Sequence, residues 1–130
     1  VNERAEKAEA LIAKMKRDRG YIYPEWEFAA RADPDFVEAY NNLYRAALND
    51  GQALDAKTRE LVALGILAYR RDANAVKAHI LRAMRLGATQ QEILEAIETA
   101  MIPGGAPTFF VGLSALMQVL EESRSSPSHT

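Results

Sequence analysis

The chain of 130 residues contains no cysteine. It therefore forms no disulfide, offers no thiolate as nucleophile or redox centre, and supplies no sulfur ligand to a metal. Histidine is nearly as scarce, with His79 in the interior of the sequence and His129 in its polar C-terminal stretch. An imidazole-based proton-transfer site thus has a single interior candidate. Charge of one sign is also missing: a formal net charge of −2 excludes the basic excess with which nucleic-acid-binding domains hold phosphates. No apolar run approaches the ~18 residues that a membrane span needs. The longest, Leu61 to Tyr69, reads as a buried helix segment. The N-terminus is charged and shows no apolar leader, which points to a cytoplasmic protein.

What is present is an apolar content of 48%, enough for one packed core in a chain of this length. Its periodicity is helical almost throughout. Over residues 2–18, Ala5, Ala8, Ile12 and Met15 fall on one stripe with Leu11 beside it, and Gly20 ends the helix. Tyr21 to Phe28 holds four of the ten aromatic residues without a clear period, and Pro24 interrupts it. This segment reads as an oligomer contact slightly ahead of a lid over a pocket. Asp33-Pro34 is an N-cap followed by proline at the first helical position, after which Phe36, Tyr40, Leu43, Tyr44 and Ala47 form a stripe that ends near Gly51. Asp55 caps a helix through Tyr69, Asp72 caps another through Leu86, and Gly87 supplies a left-handed stop. Thr89 to Glu92 is a capping box that opens a helix with Ile93, Leu94, Ile97, Ala100 and Met101 inward. Pro103-Gly104-Gly105-Ala106-Pro107 breaks the chain before a last helix to about Glu122. No segment reads as a strand. The expectation is an all-α, single-domain bundle of about six helices: residues 1–29 an N-terminal helix and aromatic segment, 30–122 the main helical domain, 123–130 a disordered tail.

Several of these pieces have a joint order and spacing. Asp33-Pro34-Asp35-Phe36 leads to Ala47-Leu48-Asn49-Asp50-Gly51, then Arg59-Glu60-Leu61 opens the apolar helix. His79 follows, then Gly87-Ala88-Thr89-Gln90-Gln91-Glu92-Ile93, then Gly104-Gly105-Ala106-Pro107. Together they resemble the carboxymuconolactone decarboxylase family, whose superfamily includes the AhpD-type alkylhydroperoxidases. The resemblance implies an AhpD-like helical fold, assembly as a trimer or hexamer, and active sites near subunit contacts. In the peroxidase branch a Glu and a His relay protons to a Cys-x-x-Cys pair. Glu60 and His79 stand at the relay positions here, while Asp72 and Ala75 stand where the cysteines belong. Thiol peroxidase activity is therefore excluded. The decarboxylase branch needs neither cysteines nor a cofactor, and the chain departs from its frequent pattern at Ala75 and at Ile102-Pro103.

The expected function is cofactor-independent, metal-free decarboxylation of a small carboxylated lactone such as a carboxymuconolactone. Loss of CO₂ requires delocalised electrons and a proton delivered to carbon, work suited to a histidine oriented by a carboxylate. Glu60 and His79 are the catalytic candidates. Arg71, Arg82 and Tyr69 are the candidates for binding substrate, Arg82 because it shares a helical face with His79 at i, i+3. Two alternatives stand beside this reading: a catalytically inactive binding or assembly protein, and a tautomerase or hydrolase on the same scaffold. Exposed aromatic residues such as Trp26, Phe28, Phe109 and Phe110 point to a homo-oligomer without nucleic-acid or membrane partners.

Overall fold

The computed structural model of the chain describes residues 2–125, and every regular element among them is an α-helix. There are seven: α1 (Glu3–Arg19), α2 (Pro24–Ala32), α3 (Pro34–Leu48), α4 (Ala56–Tyr69), α5 (Ala73–Arg85), α6 (Gln90–Gly104) and α7 (Ala106–Ser125). The helix beyond the expected six is α2. Pro24 occupies its first turn, where a missing N–H has no intrahelical acceptor to lose, so the proline opens a helix instead of interrupting one. A second difference lies at the α6–α7 junction. Pro103 is accommodated within the last turn of α6, and Gly105, at φ 87°, alone separates the two helices. Ser123, Arg124 and Ser125, expected in a disordered tail, are helical, whereas 126–130, with His129, lie outside the described residues.

The capping residues act as their types dictate. The Asp33, Asp55 and Asp72 carboxylates each accept the backbone N–H three residues on, at Phe36 (3.3 Å), Thr58 (2.8 Å) and Ala75 (3.1 Å). Thr89 and Glu92 form a reciprocal box of 3.0 and 2.9 Å. Gly87 takes the left-handed conformation at φ 95°. The end of α4 does this without glycine: Arg71 sits at φ 60° while the Asp72 N–H reaches back to the Leu67 carbonyl.

The helices form two compact units, one ending at Asn49 and the other beginning at Asp50. In the first, α1, α2 and α3 pack on one another, burying Leu11, Ile12, Met15, Ala30 and Val37. The stripe of α3 that looked inward in sequence faces outward: Phe36 is 66% exposed and Leu43 65%. The buried positions are Pro34, Val37 and Asn41. Asn41 is acceptable inside because Arg19, itself buried, donates to its Oδ1 at 2.9 Å and lies over the Tyr44 ring at 3.9 Å. The aromatic segment packs back locally, with Trp26 stacked on Tyr40 at 4.6 Å between ring centroids. Phe28 remains exposed.

In the second unit α4 and α7 each pack on both α5 and α6. The core runs through all four helices: Leu64 and Ala68, Val76, Ile80 and Ala83, Ile93 and Ile97, then Ala115, Leu116 and Val119. Small residues set the closest approaches. A Cβ on Gly65 would stand 3.3 Å from that of Ala100, and one on Gly112 would stand 2.7 Å from Cγ2 of the fully buried Ile97. No helix among the described residues is long and apolar enough to cross a membrane.

The Gly112 contact supplies a test of this packing. Ile97 is fully buried, so Gly112→Ala overpacks the α6–α7 contact and lowers stability by about 1–3 kcal/mol, read from the urea midpoint. An unchanged midpoint would place α7 differently against α6.

Candidate active site

Glu60 follows from the way α4 begins. The Asp55 cap, together with a 2.7 Å hydrogen bond from the Ala56 N–H to Asp50, fixes the first turn. Glu60, Leu64 and Ala68 then recur at i, i+4 and i+8 on a single stripe, each with 0% exposure. A carboxylate therefore occupies what the helix period makes a core position. Such a group is costly to bury unless both oxygens are satisfied.

Both are. From α5, His79 Nδ1 meets Glu60 Oε1, and Arg82 donates through Nη1 to Glu60 Oε2. The two α5 residues lie three apart and so project from one side of that helix, whose buried stripe is Val76, Ile80 and Ala83. The arrangement closes inward and opens outward. The Glu60 side chain is wholly covered, while the His79 and Arg82 side chains keep 15% and 11% of their surface exposed. The imidazole thus has Nδ1 on a wholly buried carboxylate while the ring keeps a small exposed surface, and a histidine so held is oriented for proton transfer.

Other candidates lie elsewhere. Arg71 is exposed in the α4–α5 turn, where its left-handed backbone serves the helix stop. Tyr69 is 62% exposed and lines a cavity of about 630 Å³ between α4 and α6. That cavity is bordered by Leu61, Val62, Gly65, Ile66 and Tyr69, on the side of α4 turned away from the stripe of Glu60, and by Ala96, Ala100 and Gly104 of α6. Glu60, His79 and Arg82 are not among its lining residues. The segment read as a buried helix thus has two kinds of face, with Val62 and Ile66 more than half exposed. Lys77, close to the site in sequence, pairs with Glu122 of α7. Asp72 and Ala75, at the positions of the peroxidase cysteines, are the N-cap of α5 and the N–H that it receives. Among the described residues no group of three or more His, Asp or Glu side chains is placed to hold a metal ion.

The contact that sequence reasoning did not place is Arg82 with Glu60. Their i, i+22 separation crosses two helices and carries no local period. The available signal was a lone acidic residue in register with Leu64 and Ala68, which requires a buried cation or donor from a neighbouring helix.

The site is thus an interior carboxylate in contact with a histidine and an arginine, in an all-helical unit of a cysteine-free chain. The carboxymuconolactone decarboxylase family model matches residues 34–118, and the chain belongs to that family. It is similar to two uncharacterised proteins of Methanocaldococcus jannaschii. One is 35% identical over 86 residues, which are 66% of this chain and 79% of the relative. The other is 36% identical over 92 residues, 65% of this chain and 85% of the relative. Among solved structures, a proposed carboxymuconolactone decarboxylase from Burkholderia xenovorans LB400 shares the fold with a TM-score of 0.78 at 22% identity, covering 93% of this chain and 94% of that one. An apo carboxymuconolactone decarboxylase family protein from Legionella pneumophila has a TM-score of 0.69 at 26% identity, with 90% and 97% covered.

The buried carboxylate makes a stability prediction. Glu60→Ala leaves His79 and Arg82 facing a cavity without their acceptor and is expected to cost about 3–5 kcal/mol. Glu122→Ala, which removes the acceptor of the more exposed Lys77 pair, is expected to cost less than about 1 kcal/mol. Chemical denaturation of the two variants measures the contrast, and equal losses would mean that Glu60 is solvated.

Proposed function

We propose that the chain catalyses cofactor-independent decarboxylation of a small carboxylated lactone of the carboxymuconolactone type, with His79 as the proton carrier and Glu60 as the group that orients it. The observation that carries this reading is the Glu60–His79 contact, in which the carboxylate is wholly buried and the imidazole keeps 15% of its surface exposed. Heterolysis of the bond to the departing carboxylate leaves an electron pair on a ring carbon. The ring double bond passes that pair to the lactone carbonyl, and protonation at carbon completes the enol-lactone. The protein's task is to deliver one proton to one face of a delocalised anion, which a positioned imidazole accelerates by ~10²–10⁴-fold. Membership of the family supports the substrate class, and the absence of cysteine from the chain removes thiol chemistry.

A second reading, in which the chain binds but does not catalyse, draws on the cavity between α4 and α6, which the Glu60–His79 pair does not line. The two are separated by following ultraviolet absorbance and CO₂ release on a carboxymuconolactone with wild type, Glu60→Gln and His79→Ala. Turnover in wild type that falls by ~10²-fold or more in both variants is the expected result. A folded wild type without turnover would discard the decarboxylase reading in favour of the binding one.

The same proposal carries a homo-oligomer. Phe28, Ile102, Phe110 and Met117 are all more than 60% exposed, a large apolar surface for a chain of this size. Light scattering at micromolar concentration is expected to give a mass several times 14.4 kDa, and a monomeric mass would overturn it.

A further inference from the structure

We infer that Arg82 is a positioning residue that acts through Glu60 on His79, and not an anchor for a substrate carboxylate. The inference deepens the reading just given, and its kinetic arm rests on it. The argument begins with Glu60, which has no surface of its own. A carboxylate so placed either carries a compensating charge beside it or takes up a proton. The Arg82 guanidinium supplies that charge through Nη1 on Oε2. Glu60 then has only acceptor oxygens to offer, so the His79 nitrogen that meets Oε1 must be the one bearing hydrogen. The neutral ring is thereby held as the Nδ1–H tautomer. Its Nε2 is the nitrogen that accepts a proton and, once protonated, delivers it.

Without the guanidinium the logic inverts. A protonated Glu60 would donate its O–H to Nδ1 and select the opposite tautomer, a neutral ring with hydrogen on Nε2 and no free nitrogen there to take up the proton that is delivered to carbon. Arg82 is therefore the charge that decides which edge of the ring is chemically active. Its placement fits the role: it sits three residues from His79 on α5, its side chain is about as covered as that of the histidine, and its contact with Glu60 is directed at the interior.

The test compares wild type, Arg82→Gln and Arg82→Lys by two readouts. The first is the long-range ¹H–¹⁵N spectrum of the histidine rings at a pH where they are neutral. The chain has two histidines, and His129→Gln assigns His79 by elimination. The expected result is an Nδ1–H ring in wild type and in Arg82→Lys, and loss of that preference in Arg82→Gln. The second readout is the division of the kinetic loss on a carboxymuconolactone. A positioning role lowers kcat by ~10²-fold in Arg82→Gln with KM nearly unchanged, and Arg82→Lys recovers much of it. A raised KM with unchanged kcat, in either variant, would make Arg82 a substrate anchor and overturn the inference. So would an identical His79 tautomer in wild type and Arg82→Gln. If Arg82→Gln fails to fold, Arg82→Lys decides by the same division. If wild type turns over no lactone, the decarboxylase reading falls, while the tautomer comparison still decides the role of Arg82.

Discussion

A single buried carboxylate organises the second unit of this protein. Glu60 stands where the period of α4 calls for an apolar side chain, and a charge in that position is tolerable only if a neighbouring helix brings donors to both oxygens. His79 and Arg82 do so from one side of α5, which ties α4 to α5 at a defined rotation. Structure and chemistry are thus one arrangement. The contacts that make the carboxylate acceptable in the core also give the histidine a fixed orientation, with Nδ1 turned inward onto Glu60.

Around that link the remaining contacts are apolar and governed by the size of small side chains. Gly65 against Ala100 lets α4 approach α6, and Gly112 against Ile97 seats α7. Gly65 and Ala100 also line an apolar cavity on the outer side of α4, away from Glu60. One helix therefore has two distinct faces: a buried stripe that carries Glu60, and a face lined with Val62, Ile66 and Tyr69 that remains open.

Most helix boundaries were legible because they depend on local chemistry. Asp33, Asp55, Asp72 and the Thr89–Glu92 box satisfy backbone N–H groups within a few residues, and Gly87 adopts a conformation that its own lack of a Cβ permits. The one helix that escaped, α2, did so because proline is ambiguous in isolation: Pro24 ends a helix from the interior and begins one from the first turn. Faces were harder. In α3 the large apolar residues Phe36, Tyr40 and Leu43 looked like the core stripe, yet burial went to Val37 and Asn41, because Arg19 supplies Asn41 with a donor. In α4 the run from Leu61 to Tyr69 is apolar on all sides, so its period points nowhere.

The sequence by itself determined that the chain is helical, where most helices start and stop, and that thiol chemistry is absent, while its resemblance to a family singled out Glu60 and His79 as the acid–base candidates. The helical outcomes follow from residue types and spacings of a few positions, over which backbone geometry is nearly rigid. Only the tertiary structure decided that Arg82 serves Glu60, that Tyr69 lies at the other side of α4, and which apolar residues remain outside. Those outcomes depend on how helices far apart in the chain rotate against one another. That rotation is set by the fit of many side chains at once and by the need to neutralise one buried charge, neither of which has a local signature.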